Sequence, residues 1–312
     1  MAVTAKVIAD SISPEGIRLT TLHLRYPRMI HSEFMTHRVF SRNGRSSRAV
    51  PVATLLKEDP YLPYFKLNQG GMVAHNEMPE EDRLQAELIW LDLAEYTKTA
   101  VARLNELKVH KQWANRPLEW FGYIDVLVSS TDWANFFELR DEVGAQPEID
   151  DLAKAMKVAL DNSVPAKCLP GSWHMPYIDL GVDGAIATAH LKKTWVEQTG
   201  EHVDSFPLEG KELGEAILSI LKKVSVARCA RLTIKPFDGN STIEAELKRY
   251  DLLMVSRPVH ASPAEHIATP DVAYSTPEKL VNWKNLKEHG NFYGWRQFRK
   301  MIPYNTIYED RK

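Results

Sequence analysis

Hydrophobic and polar positions alternate along Ile17–Pro27 in a way that is typical of a β-strand, with leucines set among β-branched and polar residues. A second short strand is predicted at Tyr123–Ser130. Pro27 suits the first turn of a helix. We therefore expect the residues after it to be helical and to carry His37 and Arg38 at the helix end.

The clearest helix starts after Pro79. Apolar residues there follow a 4-3-4-4-3 spacing, which predicts one stripe facing a core, namely Ile89, Leu93, Tyr96, Ala100, Leu104 and Leu107. Further helices are predicted near Pro51 and at 131–140, 148–160, 213–232 and 242–255. Residues 161–210 are rich in Pro, Gly and Asp and give no clear pattern. The regular strand–helix alternation of a doubly wound sheet is absent, so we predict a helix-rich, mixed α/β (α+β) domain spanning 1–312.

The composition excludes several classes of protein. The chain has 312 residues, is 44% hydrophobic and 26% charged, and carries a net charge of −2. A core of good size is possible, and a general coat for nucleic acid is not expected. The first residues lack the apolar run of a signal peptide, and no run approaches the length that crosses a membrane. We expect a soluble cytoplasmic protein.

One stretch, Thr36–Pro51, concentrates positive charge in a chain that is slightly acidic overall. It contains four arginines, three serines and a histidine without any carboxylate. Arginine presents a planar fork of donors that matches phosphate oxygens, and serine hydroxyls complete such a cradle. The stretch therefore indicates a site for nucleotide phosphates. A solvated basic loop or a subunit contact explains the charge equally well. It is not a Walker loop, and no GxGxxG follows a strand.

Other reactive residues give little. Cys168 and Cys229 are far apart, with neither metal-ligand spacing nor a neighbouring histidine. Cys229 falls within a helical pattern and is predicted to lie in the core, which disfavours thiol catalysis. The stretch His260–His266 is interpreted as a turn or helix start in preference to a metal site. No bound metal is expected.

A second unusual stretch is Asn135–Ile149. Phe136, Phe137 and Leu139 supply an apolar wall beside the amide and guanidinium groups of Asn135 and Arg140. This arrangement suits a planar heterocycle. An ordinary amphipathic helix with its polar face in water is the simpler alternative.

Taken together, these stretches resemble the flavin-dependent thymidylate synthases. The order THR..S.N..SSR at Thr36–Arg48 is similar to the family signature of Arg-His-Arg followed by Ser, Asn, Ser and Arg. Asn135–Ile149 resembles the second family block, with Asn, Leu-Arg, Ala-Gln and Glu-Ile. His110–Phe121 is more loosely similar to the segment that supplies another substrate arginine, here Arg116.

A further block, Ser225–His266, resembles the usual N-terminal region of the family, which ends in His-x-Ser/Thr-Pro-x-Glu-His. Because this block normally precedes the strand matched by Ile17–Pro27, the chain resembles a circularly permuted member that starts near Gly16, as do longer relatives from bacteriophages. Permutation is tolerated where chain ends lie close together at the surface. Residues 17–160 and 211–270 carry the resemblance, whereas 161–210 and 271–312 are an unassigned insert and C-terminal extension.

The resemblance implies a fold, a reaction and its partners. The fold has a central, mostly antiparallel sheet flanked by helices. The reaction is methylation of dUMP to dTMP with 5,10-methylenetetrahydrofolate and NADPH as co-substrates. Reduced FAD delivers the hydride, and no cysteine nucleophile takes part. Homotetramers with shared active sites are expected, without a membrane or nucleic acid partner.

The resemblance also assigns residues by position. Those for the substrate are Glu33, Arg45 (through its backbone), Ser46, Ser47, Arg48, Arg140 and, from a neighbouring subunit, Arg116. Those for FAD are Thr36, His37, Arg38, Asn43, Ser129, Thr131, Asn135, Leu139, His260, Ser262 and Glu265. Arg140 would stabilise negative charge developing on the uracil, and His37 and Arg38 stand beside it as catalytic candidates.

The chain departs from the family pattern at four positions. Thr36 replaces the first arginine of the signature, Gly44 a glutamate, Glu33 a glutamine and Gly144 a histidine. Arg42 and Arg45 are hypothesised to restore the charge missing at Thr36. These departures leave two alternatives open. One is hydroxymethylation of dUMP or of a cytosine nucleotide for modified phage DNA, and the other is a non-catalytic nucleotide-binding relic of the fold.

Overall fold

The computed structural model describes residues 3–235, 239–256, 259–275 and 281–303. Within these ranges the strands are β1 (Thr4–Ile12), β2 (Arg18–Pro27), β3 (Ser41–Gly44), β4 (Tyr123–Ser130), β5 (Ala166–Lys167), β6 (Ala268–Pro270), β7 (Ala273–Ser275), β8 (Val281–Trp283) and β9 (Trp295–Gln297). The helices are α1 (His31–Phe34), α2 (Val52–Leu55), α3 (Glu80–Glu106), α4 (Lys111–Ala114), α5 (Ala134–Arg140), α6 (Pro147–Asp161), α7 (Leu180–Thr199), α8 (Gly210–Arg231), α9 (Ile243–Met254) and α10 (Phe298–Met301). The predicted mixed α/β, helix-rich class is confirmed.

A five-stranded sheet with the order β3-β4-β2-β1-β5 organises the molecule. Every neighbouring pair is antiparallel except β1 and β5, which run parallel. The predicted, mostly antiparallel sheet is therefore present. Both strands expected from the sequence appear within one residue of their predicted bounds.

The two faces of the sheet differ in chemistry because side chains alternate along each strand. One face is apolar and packs against α5 and α6, with Leu22, Leu24 and Tyr26 of β2 buried beside Val126 and Val128 of β4. The opposite face is largely polar. Register places Thr21 opposite Ser129, Arg25 opposite Asp125, and Ser41 opposite Ser129 on its other side, so these polar side chains share that face. We call it the polar face.

Two helices, α8 and α9, form a second core together with α7. The 20-residue helix α7 lies in residues 161–210, where no element was predicted. Its start is nonetheless well capped, because the Asp179 carboxylate accepts hydrogen bonds from the backbone of Gly181 and Val182. Gly200 ends it in the left-handed conformation, which glycine adopts without strain. These residue types made the segment resemble a loop, although Asp179 and Gly200 define the two ends of a helix.

The prediction that the apolar stripe of α3 faces a core is wrong. Ile89, Tyr96 and Leu107 are 64%, 76% and 76% exposed, and the residues buried on this helix are Ala94 and Val101. The spacing identified the helix and its apolar face correctly. The spacing could not show that, in the described part of one chain, the side of α3 that carries Ala94 and Val101 is the buried one.

The segment after Pro27 also departs from the prediction. It forms a short 3₁₀ turn and then α1, which ends at Phe34. His37 and Arg38 lie in the following turns, outside any helix. The helix predicted at 131–140 begins at Ala134, with Asp132 accepting a hydrogen bond from the Ala134 backbone.

Candidate functional site

His37 occupies a buried position among aromatic rings at the edge of the sheet. Its ring stacks on Phe40 with centroids 5.9 Å apart and meets the edge of Phe136 at 4.9 Å. Phe34 packs against both phenylalanines. This cluster joins the turn after α1 to helix α5, and so fixes the imidazole in place.

Arg140, at the end of α5, contacts His37 across 103 residues of sequence. The Arg140 Nε–H donates to Nε2 of His37 at 3.1 Å. Burial, followed by the charges of Arg140 and Arg42, lowers the pKa of His37 to about 4. The imidazole is therefore neutral near pH 7. Because Nε2 accepts, its proton resides on Nδ1. Among the described residues, no carboxylate forms an ion pair with Arg140, so its positive charge is not neutralised by the histidine that holds it.

Arg42 holds the turn that carries His37. Its Nη1 donates to the carbonyl oxygens of His37 at 2.9 Å and Phe40 at 2.8 Å, and its Nη2 donates to that of Met35 at 2.7 Å. Burial lowers the pKa of Arg42, a shift that the negative charge of Glu265 opposes. All of these donors are committed to the backbone. The geometry favours a structural role over the substitute for a lost signature arginine that the sequence suggested.

The serine and arginine segment after β3 forms a turn next to a carboxylate. Ser46 caps a short 3₁₀ helix and accepts from the backbone and Nε of Arg48. Ser47 is buried, and its hydroxyl donates to Glu119 at 2.5 Å. Arg116 reaches the same Glu119 oxygen at 3.0 Å. Within one chain, Arg116 and Ser47 therefore share a carboxylate, which the sequence comparison did not anticipate.

Arg45 lines a cavity behind this turn. Its side chain lies 3.1 Å from Asp125, and its backbone N–H donates to the Asp125 carbonyl at 2.8 Å. Asp125 also accepts from His23 and Arg25. Burial alone would raise the pKa of Asp125, but the His23 hydrogen bond and the arginine charges outweigh burial and lower it. The cavity lining balances four cations against four carboxylates, namely Arg25, Arg28, Arg45 and Lys98 against Glu58, Asp59, Glu119 and Asp125.

The third family-like block meets the polar face of the sheet. His266, in the 3₁₀ helix Ser262–His266, donates through Nε2 to Asn43 at 2.6 Å and contacts Ser129 through Nδ1 at 2.8 Å. Ser129 is fully buried, so its hydroxyl serves this network and not the protein surface. Arg257 and Pro258 of this block, and residues 236–238, lie outside the described residues.

The C-terminal extension, unassigned from the sequence, contacts the candidate flavin residues. Arg299 pairs with Glu265, and Gln297 donates to Ser41 at 3.0 Å and to the Glu265 carbonyl at 3.1 Å. The Tyr293 backbone donates to the Thr131 hydroxyl at 3.1 Å. Residues 291–299 therefore belong to the surroundings of the site, a conclusion that no motif signalled. Residues 276–280 and 304–312 lie outside the described ranges.

The remaining candidates lie at the surface. Arg38, Arg48, Asn135, Leu139, His260 and Ser262 are exposed, as is Thr36, whereas Glu33 is half-buried. Thr36 donates its hydroxyl proton to the Glu33 carbonyl at 2.6 Å, which closes the turn before His37. Among the described residues, neither Arg38 nor Arg48 forms an ion pair with a carboxylate. These two guanidinium groups are accessible to an anionic ligand.

Two of the departures have local structural consequences. A Cβ at Gly44 would lie 3.2 Å from Cδ1 of Ile124, so a larger residue requires that side chain to shift. At Gly144 a Cβ would meet the flexible end of Glu142. The structure gives no account of why glutamate replaces glutamine at position 33.

The cysteines are unsuited to nucleophilic chemistry. Both are buried, and burial raises the pKa of Cys168 to about 11 and raises that of Cys229 as well. The prediction that Cys229 lies in the core is confirmed. In the described ranges no three His, Cys, Asp or Glu side chains are grouped as metal ligands. No helix in this part of the chain is both long and apolar enough to cross a bilayer.

Comparisons with known proteins agree with part of this picture. The sequence model of the family described as thymidylate synthase complementing protein matches residues 17–166. Among solved structures, two crystal structures of the UMP/dUMP methylase PolB from Streptomyces cacaoi, bound with 5-Br UMP and 5-Br dUMP, are similar to 51% of this chain. They are 18% identical over 89% and 90% of their own length, each with a TM-score of 0.42. A comparison with curated proteins finds no match.

Proposed function

We propose, from the premise that residues 17–166 belong to the thymidylate synthase complementing protein family, that this protein methylates dUMP to dTMP with FAD, NADPH and 5,10-methylenetetrahydrofolate. The observation that carries the proposal is the contact between Arg140 and His37. Each residue comes from a separate family-like block. The fold brings both blocks to one place, beside guanidinium groups that are accessible to nucleotide phosphates.

The dUMP phosphate fits the turn at Ser46–Arg48. Arg48 is exposed and oriented by Ser46 at 3.2 Å, and it supplies the planar donors that phosphate prefers. Arg116 lies on the same side of Glu119 as Ser47. When phosphate binds, the Ser47 hydroxyl and Arg116 exchange their Glu119 contacts for phosphate oxygens. Arg116 fulfils this role either in its own chain or, as the resemblance implies, in a neighbouring one.

Arg140 is placed to stabilise negative charge on the uracil ring. Its Nε is held by neutral His37, so the terminal nitrogens keep their full positive charge for the substrate. A fixed cation in a partly buried site stabilises developing charge without reorganisation. His37 thus orients the guanidinium, and its lowered pKa keeps it from competing as a second cation.

The residues present fit a flavin dinucleotide. The candidate flavin residues include an accessible cation at Arg38 and accessible amide and hydroxyl groups at Asn135 and Ser262, which match the diphosphate and the ring polar atoms. When bound, FAD supplies the hydride that completes the methyl group. The chain's own part is to hold that ring beside the pyrimidine and to exclude water with Leu139 and the aromatic cluster of His37.

The permuted order of the chain is part of the proposal. If the block that ends at His266 stands in place of an N-terminal region, its end must lie close to the start of β2. Ala268 and Leu19 are buried in one cluster with Ile17 packed against it, and Trp295 donates to the Ile17 carbonyl at 3.2 Å. This proximity supports the circular permutation.

Mass spectrometry of the nucleotide product tests the proposed reaction. The protein is incubated with FAD, NADPH, methylenetetrahydrofolate and either dUMP or dCMP at low oxygen. A methyl mass on dUMP is the expected result, with Arg140→Ala as the matched inactive variant. A hydroxymethyl mass, or reaction only with dCMP, would replace methylation by the modified-base alternative. Unchanged nucleotides from a protein that FAD cannot reconstitute would favour the non-catalytic relic.

A further inference from the structure

Six side chains form one continuous hydrogen-bonded chain beneath the polar face. It runs from Ser11 to His174 at 2.9 Å, to Thr21 at 2.8 Å, to Ser129 at 2.5 Å, to His266 at 2.8 Å and to Asn43 at 2.6 Å. All members except Asn43 are buried. This hydrogen-bonded network connects four strands, β1 to β4, with the loop that carries His174 in the 161–210 insert and with the 3₁₀ helix that carries His266.

The direction of every hydrogen bond in this network follows from its last member, Asn43. Asn43 Nδ2 donates to the Cys229 carbonyl at 3.1 Å, so Oδ1 must be the atom that faces His266, and an amide oxygen only accepts. His266 therefore donates from Nε2. Burial lowers its pKa to about 3, which makes the ring neutral, so Nδ1 accepts from the Ser129 hydroxyl.

The same logic extends upstream. Because Ser129 donates its only hydroxyl proton to His266, it accepts from Thr21. Thr21 in turn accepts from Nε2 of His174, whose Nδ1 accepts from Ser11. Both histidines are thus Nε2–H tautomers, and all five bonds point towards Asn43. Such aligned bonds polarise one another.

We propose that His266 is a positioning residue that fixes the Asn43 amide so that one N–H points to an acceptor atom of the bound ligand. This inference rests on the proposed function in naming that ligand as FAD. Asn43 is half-buried, and in the described residues its second amide proton has no hydrogen-bond acceptor. The chain does not conduct protons to the ligand, because its terminal amide oxygen cannot pass a proton on.

The tautomers of His266 and His174 can be determined by NMR in protein without bound flavin. Long-range ¹H–¹⁵N correlation spectra of ¹⁵N-histidine-labelled protein at pH 7 are expected to show His266 and His174 protonated on Nε2 alone. An Nδ1–H tautomer at His266 would overturn the proposal. A wild-type protein that fails to bind FAD would instead overturn the proposed function and leave this spectrum as the test of the chain.

Two variants separate positioning from folding. Gln at position 266 places an amide donor near the Nε2 position, whereas Asn places its amide near Nδ1 and cannot reach Asn43. We expect His266→Gln to keep the FAD Kd within about threefold of wild type and His266→Asn to raise it about tenfold or more. Thermal unfolding of both variants checks that each is folded. Equal FAD affinity in two folded variants of equal stability would contradict the proposal.

Discussion

Arg140 and His37 meet through a single hydrogen bond of 3.1 Å, in which a permanent cation donates to a histidine that burial and that same cation keep neutral. The pair joins helix α5 to the turn after α1. It gives the candidate site a guanidinium whose position is fixed and whose charge is not neutralised by the partner that holds it.

Replacing Arg140 should therefore slow turnover strongly while sparing the fold. We expect Arg140→Ala to lower kcat by about 10²–10³-fold, the usual loss when one preorganised donor is removed. Arg140→Lys keeps the charge but not the planar fork, so it should recover only part of the rate. Steady-state kinetics of dTMP formation give the comparison.

The control for this variant is Arg103→Ala, since Arg103 is exposed near the end of α3. The pKa of His37, followed by NMR, should rise in Arg140→Ala because one of the two cations that lower it is gone. Unchanged kcat in Arg140→Ala would exclude Arg140 from the chemistry.

Arg42 should matter for stability more than for ligand charge. Its guanidinium donates to the carbonyls of Met35, His37 and Phe40, and removal leaves part-buried acceptors without partners. We expect Arg42→Ala to lower the free energy of unfolding by about 2–4 kcal/mol. Urea unfolding gives this value, with Arg38→Ala as the matched, exposed control.

The hypothesis that Arg42 restores the charge missing at Thr36 makes the opposite prediction for Arg42→Ala. If Arg42 substitutes for the arginine missing at Thr36, Arg42→Ala would weaken FAD or dUMP binding at undiminished stability. If neither affinity changes in a folded variant, Arg42 serves only the turn.

Stability should fall on mild acidification. Burial lowers the pKa of His174 and of His266 to about 3 each, against about 6.5 in an unfolded chain. Between these pH values the two histidines bind protons in the unfolded state and remain neutral in the folded state. The free energy of unfolding should therefore decrease as pH falls from 6.5 towards 4, by up to about 1.4 kcal/mol per pH unit for each histidine.

Urea unfolding at a series of pH values between 7 and 4 measures this slope. His174→Gln should make it shallower, whereas His202→Gln, on an exposed turn, should leave it unchanged. Asp10, which opposes the shift at His174, has a lowered pKa itself and titrates below this window. Equal slopes in the two variants would show that His174 is not buried neutral.

The exposed apolar face of α3 predicts self-association. Ile89, Leu93 and Tyr96 stand together, more than half exposed, on a helix whose buried residues in the described part of the chain are Ala94 and Val101. Patches of this kind commonly mark interfaces between subunits. We expect the double variant Ile89→Glu, Leu93→Glu to have a lower mass in light scattering than wild type, with Glu95→Lys on the same helix as control.

Mixing two inactive variants tests whether Arg116 acts across subunits. If a site combines Arg48 of one chain with Arg116 of another, co-expressed Arg48→Ala and Arg116→Ala chains should assemble some intact sites and recover activity. If both arginines serve the site of their own chain, no mixed assembly can recover activity. The contacts of Ser47 and Arg116 with one Glu119 oxygen within a single chain allow that arrangement.

Local patterns were sufficient for most secondary structure. Strands β2 and β4 and helices α6, α8 and α9 lie within a few residues of their predicted bounds, because their periodicity matches the geometry of the element. Helix α7 was missed because its glycines weaken helical propensity, even though Asp179 and Gly200 define its ends.

The sequence by itself determined which residue types are available for chemistry. Arginine, serine and amide groups at motif spacing indicated phosphate and heterocycle binding, since these residue types have fixed donor patterns whatever their surroundings. The fold class also followed from local periodicity, and the match of residues 17–166 to the family model agrees with the motifs.

Only the tertiary structure decided what each of those residues contacts. Arg42 is committed to backbone carbonyls of its own turn. Ser129 belongs to a buried network and Glu265 pairs with Arg299, both through partners distant in sequence. Ile89, Leu93 and Tyr96 of α3 are exposed because no other element in the described part of the chain packs over them. Such long-range pairings depend on how strands and helices pack, and no local spacing encodes them.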